Sequence, residues 1–179
     1  MPAVHFHSTS RHKDLLDEIY SDLTDGMIVI LDLSDDTRGL SERLSERIAH
    51  KILWENQQVF GQGSVPPFIQ VYVEEAHHII PKHAQLDDPW PLLAKEGSKF
   101  NIGFTYATQE VSSIHHNILA NTENWYVFHL NNRAEINELA KYEDFEYFSD
   151  SIRKVDEVGL CRVRSSSSHF TVTAKLNRF

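Results

Sequence analysis

The chain has 179 residues, 41% of them hydrophobic and 24% charged, a composition that suits one soluble globular domain with a real core. A formal charge of −9 argues against a free-standing nucleic-acid binder, which carries a basic face, while leaving room for DNA contact by a few residues in a ring of subunits. The single cysteine, Cys161, rules out an intramolecular disulfide and fits a reducing cytoplasm. The N-terminal residues lack the apolar core of a signal peptide, and no stretch approaches the ~18 apolar residues of a membrane span, so a soluble, cytoplasmic protein is expected.

In chain order, Leu16, Ile19, Tyr20 and Leu23 recur at helical spacing, and Gly26 suits the stop. "MIVILDL" (27–33) is a continuous apolar, β-branched run, as expected of a strand buried on both faces. Leu40, Leu44, Ile48 and Ile52 then predict an amphipathic helix to about Glu55, with a loop at 61–67 and a second buried strand at 68–75. A short helix is expected near 91–100 and a third strand over 101–109. Ile114, Ile118 and Leu119 mark a short helix opened by Ser112 or Ser113, and 125–130 reads as a fourth strand. Asn132, with Glu135 three residues on, has capping-box spacing. Phe145, Phe148 and Ile152 continue as helix, and two apolar runs joined by four serines (165–168) predict a terminal β-hairpin. Strands alternating with helices imply a single α/β domain with a mostly parallel sheet, whose active groups lie at the strands' C-terminal ends.

The second strand ends in Glu74 and Glu75. There one carboxylate can hold magnesium through its waters, and the next can orient and deprotonate the water that attacks a γ-phosphate. Acidic pairs after strands also cap helices or face solvent. The third strand ends in Thr108 and Gln109, which would emerge beside Glu75 if the strands are neighbours. A glutamine there can sense a γ-phosphate or position water, although a polar strand end can equally lead into a turn.

Taken together, "VYVEEAHHIIP", "LLAKEGSKFNIGFTYATQEVSSIHHNILANTENWYVFHLNN" and "EINELAKY" resemble the C-terminal half of a HerA-like ATPase, of the HerA/FtsK branch of P-loop motors. The resemblance runs from about residue 26, with the motifs in 26–164. It implies an incomplete RecA-like P-loop NTPase sheet ending in a β-hairpin. Glu74 matches the Walker B residue that holds Mg2+, Glu75 the catalytic glutamate and Gln109 the polar sensor. Thr108, His78 and Lys99 would lie near the nucleotide. Arg133, Arg162 and Arg164, or Arg153, are candidates for a finger reaching into a neighbouring subunit's site; surface ion pairs are the plainer reading of each.

Two departures from the family stand out. Ser98 occupies a position where many relatives carry arginine, and the sequence holds no G-x-x-x-x-G-K-[ST] and no Gly-Lys pair at all. The backbone amides and lysine that neutralise β- and γ-phosphates are therefore missing. The expectation is a piece of an ATP- and Mg2+-dependent motor, a homo-oligomeric ring on double-stranded DNA that works with a nuclease or other effector. Alternatively, it is a stand-alone inactive module that pairs with a full-length ATPase.

Other chemistries have little support. His77, His78, His83, His115 and His116 invite a metal, but neither H-E-x-x-H nor H-x-x-E-H occurs. There is no G-x-S-x-G, and Cys161 falls within a predicted strand, as a buried inert thiol would. Trp125, Tyr126 and Phe128 read as strand packing.

Overall fold

The computed structural model describes residues 14–33, 39–168 and 170–177. Its first helix, α1 (Leu15–Thr24), opens where the Asp14 carboxylate accepts from the Leu16 amide, and Gly26 follows it with φ +78°. The next predicted element is absent. Residues 27–33 form no strand, and Ile28 and Ile30 stand 68% and 71% exposed. An apolar run becomes a buried strand only where a neighbouring backbone completes its ladder, and no described strand pairs with this one.

Helix α2 (Leu40–Gly61) runs past the expected end at Glu55, and its buried face is not the leucine–isoleucine stripe. The buried seam is Ser41, Ser45, Ala49, Ile52, Leu53 and Asn56, whereas Leu44 and Ile48 are half-buried and Leu40 is exposed. Small side chains let the helix approach the core closely, and the two serine hydroxyls donate to backbone carbonyls of Leu33 and Glu42. Asn56 is fully buried and ties three segments together. It accepts from the Tyr20 hydroxyl at 2.9 Å and donates to the carbonyls of Pro67 at 3.0 Å and Phe100 at 2.8 Å.

The strands form two small sheets. β1 (Ile69–Val73) pairs in parallel with β2 (Ile102–Tyr106), from Ile69 opposite Ile102 to Val73 opposite Tyr106. Between them lie α3 (Ala76–Ile79), α4 (Pro89–Glu96) and a 3₁₀ turn over Gly97–Phe100. After β2 comes α5 (His116–Ala120), whose cap is His115 and neither serine: its Nδ1 accepts from the Asn117 amide at 3.2 Å. Burial, and then the adjacent His116, hold the His115 pKa below the ordinary histidine value, which keeps that nitrogen an acceptor.

β3 (Trp125–Val127) joins the hairpin of β4 (Leu160–Arg164) and β5 (Val172–Lys175) in an antiparallel sheet, with no ladder to β2. α6 (Arg133–Leu139) and α7 (Ser149–Lys154) pack beside it. Val73, Ile118, Trp125, Val127, Ile136, Phe145 and Ile152 form one shared core, and Ile52, Leu53, Ile69, Leu93 and Ile102 a second one under α2. The α/β class and the terminal hairpin are thus as expected. Among the described residues no helix is long and apolar enough to cross a membrane.

Asn56→Ala removes one acceptor and leaves two buried carbonyls without donors, a cost of about 3 kcal/mol, whereas Tyr20→Phe, which removes a single bond, costs about 1 kcal/mol. Urea unfolding of the two variants checks the difference.

Candidate nucleotide-hydrolysis site

Parallel pairing brings the C-terminal ends of β1 and β2 to one place. The pairing continues beyond the strands: the Ala107 amide donates to the Val73 carbonyl and the Ala76 amide to the Ala107 carbonyl, both at 2.9 Å. β1 therefore cannot run on. It turns through Glu74 and Glu75, with Glu75 in the left-handed region at φ 47°, ψ 50°. An L-residue there costs about 1–2 kcal/mol, so the turn is held by what surrounds it.

The two carboxylates part company at this turn. Glu74 accepts from the Tyr72 hydroxyl at 2.9 Å, because residues two apart on a strand share a face. That hydrogen bond, with burial adding to it, raises the Tyr72 pKa and keeps the phenol a donor at neutral pH. Glu75, 47% exposed at its side chain, accepts from the Gln109 amide nitrogen at 2.9 Å through Oε1. Thr108 lies beside them, its hydroxyl accepting from the Glu110 amide at 3.0 Å and meeting His77 Nδ1 at 3.0 Å. His77 Nδ1 is also 3.6 Å from Glu75 Oε2.

Of the residues expected at the site, Glu74, Glu75, Thr108 and Gln109 come together. His78 is exposed and stacks on the His77 ring at 4.1 Å between centroids. Lys99 does not reach them. It sits in the turn before β2, at the opposite end of a five-residue strand that spans roughly 16 Å, and its ammonium lies over the rings of Phe60 and Phe100. Ser98 is on the same distant turn.

Arg162 and Arg164 are both engaged within the chain. Arg162 is 2% exposed and donates through Nη2 to the Ser151 carbonyl at 2.8 Å in the last turns of α7. Its Nε and Nη1 are buried with no partner among the described residues. Arg164 is held by Glu143 at 2.9 Å. Arg133 and Arg153 are exposed, on α6 and α7.

Three contributors escaped the sequence reading: Tyr72, His77 and Glu135. Glu135 was read as half of a capping box. Asn132 does cap α6, accepting from Ala134 at 2.9 Å. The buried Glu135 carboxylate instead takes the Ser112 amide at 2.8 Å and hydroxyl at 2.7 Å, anchoring the segment that follows Gln109.

The donor set suits magnesium only in part. Carboxylate oxygens are the right chemistry, but among the described residues no group of three or more His, Cys, Asp or Glu side chains could hold a metal. One carboxylate acting through water, with phosphate oxygens completing the shell, is the arrangement these residues fit. No described lysine or arginine pairs with Glu74 or Glu75. Two clefts lie elsewhere, one among Leu16, His50, Trp54 and Pro89, the other among Asn121, Glu143, Arg164 and Ser165.

No protein-family model matches the sequence, and no curated protein matches it. Solved structures do. The genome packaging NTPase B204 from Sulfolobus turreted icosahedral virus 2, in complex with AMPPCP, is 12% identical over 89% of this chain and 72% of that one, with a TM-score of 0.66. The same protein in complex with ATP-gammaS is 13% identical over 95% and 72%, with a TM-score of 0.65. The crystal structure of B204, the DNA-packaging ATPase from Sulfolobus turreted icosahedral virus, is 12% identical over 97% and 81%, with a TM-score of 0.64.

At such identities the likeness is one of fold. Glu75→Gly should be more stable than Glu75→Ala by about 1 kcal/mol, since both lose the carboxylate and only glycine relieves the left-handed backbone. Denaturant midpoints of the two variants measure it. The chain shares its mixed α/β fold with that packaging NTPase.

Proposed function

We propose that this chain carries the water- and metal-handling half of an ATPase site in a HerA-like motor, and that the phosphate loop comes from a segment outside these 179 residues, in the same polypeptide or another. The observation that carries the reading is the 2.9 Å contact between Glu75 and Gln109 at the C-terminal ends of two parallel strands. It is supported by a fold shared with an NTPase captured with AMPPCP and ATP-gammaS.

Bound Mg-ATP would supply the electrophilic phosphorus and the positive charge that the acidic pair lacks. Glu74, oriented by Tyr72, would take the metal through water. Glu75 gives one oxygen to Gln109 and keeps the other to accept a proton from the attacking water, a role worth 10²–10⁴-fold in rate. Gln109 is placed to sense the γ-phosphate as well as to hold the base.

The sheet offers a place for the missing part. β2 has an unpaired edge away from β1, and β3 one away from β4, among the described strands, while both contribute to one core. A strand added between them would join the two sheets and deliver a phosphate loop to the strands' C-terminal ends. The complete protein, in this reading, is a homo-oligomeric ring acting on double-stranded DNA with a nuclease or other effector. A trans-acting arginine, if this chain supplies it, is Arg133 or Arg153.

A second reading, an inactive module that pairs with a full-length ATPase, is favoured by the lack of a lysine or arginine paired with the carboxylates among the described residues. Turnover separates the two. The chain by itself should not hydrolyse Mg-ATP. Co-expressed with a polypeptide that carries G-x-x-x-x-G-K-[ST] on a strand–loop–helix unit, it should gain turnover, and Glu75→Gln should lower kcat by about 10²-fold or more. Turnover unaffected by Glu75→Gln refutes the catalytic assignment, and Glu75-dependent turnover by the chain alone refutes the divided site.

A further inference from the structure

We propose that His77 is a positioning residue: its Nδ1 links the turn carrying Glu75 to the turn carrying Thr108 and Gln109, and so holds the base against the sensor. The purpose of this link rests on the ATPase reading above; the link itself needs no nucleotide.

The Glu75–Gln109 hydrogen bond joins two exposed, rotatable side chains, and such a bond is weak unless its partners are already confined. His77 provides the confinement. Its side chain is 9% exposed, against 47% for Glu75, and its helix is fixed by the amide of Ala76 on the Ala107 carbonyl. The tilted His78 ring, 4.1 Å away between centroids, lies against it.

The Thr108 hydroxyl oxygen accepts from the Glu110 amide and still has a hydrogen and a second lone pair for His77 Nδ1, so Glu110, Thr108 and the imidazole form one hydrogen-bonded chain in either tautomer. Glu75 Oε2, 3.6 Å from the same Nδ1, is too far for a hydrogen bond but packs against that ring edge. The carboxylate is thereby turned so that Oε1 faces Gln109.

The test is NMR on the isotopically labelled chain as it stands. The wild-type His77 Nδ1 should show the signature of a hydrogen bond to Thr108. The Gln109 side-chain amide should exchange about tenfold more slowly than a free one, the factor one hydrogen bond provides. His77→Phe keeps the ring but loses the nitrogen, and should abolish that protection without a matching fall in melting temperature; His77→Asn should restore part of it. If His77→Phe fails to fold, Thr108→Val breaks the same link by removing only a hydroxyl, with the same loss expected. Unchanged Gln109 protection in either folded variant, or a His77 Nδ1 with no hydrogen bond, overturns the proposal. Failure of the ATPase reading would show in the co-expressed complex, as no turnover or as turnover that Glu75→Gln leaves unchanged, and would leave these signals as they are.

Discussion

The parallel register of β1 and β2 is the constraint on which the candidate site depends. Because Val73 lies opposite Tyr106 and the pairing extends to Ala76 and Ala107, the two chains leave the sheet side by side. Each carries its polar residues out at the same level: Glu74 and Glu75 from one, Thr108 and Gln109 from the other. A one-residue slip would send the side chains of either strand to the opposite face and separate these groups. The acidic side chains do not create the site; the ladder beneath them does, and the left-handed turn at Glu75 is the local cost of stopping β1 there.

Electrostatics then explains what the cluster can and cannot do. Glu74 and Glu75 are adjacent, and the groups that meet them are a phenol, a primary amide and an imidazole. A polyphosphate brought to such a place meets like charge, with no lysine or arginine among the described residues paired to the two carboxylates. The nearest cation expected from the sequence, Lys99, is at the far end of the sheet and already lies over two aromatic rings. An incoming nucleotide therefore has to bring its own magnesium and find its lysine elsewhere. Such a site is fit for handling water and metal and unfit for holding phosphate, which is why the two tasks fall to different segments in the proposal above.

Much of this was legible in the sequence, and the failures have physical causes. Strong local signals held: α1 with its Gly26 stop, the two apolar strands, which end at Val73 and Tyr106, two and three residues short of the expected Glu75 and Gln109, the Asn132 cap and the serine-linked hairpin. What failed depended on tertiary partners. Residues 27–33 have the composition of a buried strand but no ladder to join. The face of α2 follows close approach by Ser41, Ser45 and Ala49, a signal that hydrophobicity hides. Glu135 had the right spacing for its own helix cap, yet a better donor pair on Ser112 claimed it. Arg162 and Arg164 do share a strand face, as their spacing implies, but that face is turned into the protein. Position along a strand is readable from sequence; which side is covered is not.

The open features of the structure point the same way. β2 and β3 contribute to one core but hydrogen-bond to different sheets, leaving an edge of each unpaired, and unpaired edges in an otherwise packed core are costly or are filled. In the apolar run at 27–33, Met27, Ile28 and Ile30 are exposed, surface that a buried strand would hide. Each is what remains when a mixed sheet lacks a strand: hydrogen-bonding capacity in one place, apolar surface in another. The missing phosphate loop is the chemical form of the same deficit, because in a parallel α/β sheet a loop of that kind follows directly from a strand. One added strand–loop–helix unit would meet the ladder, the core and the charge requirement together, and that economy is the strongest physical argument for a divided site over a decayed one.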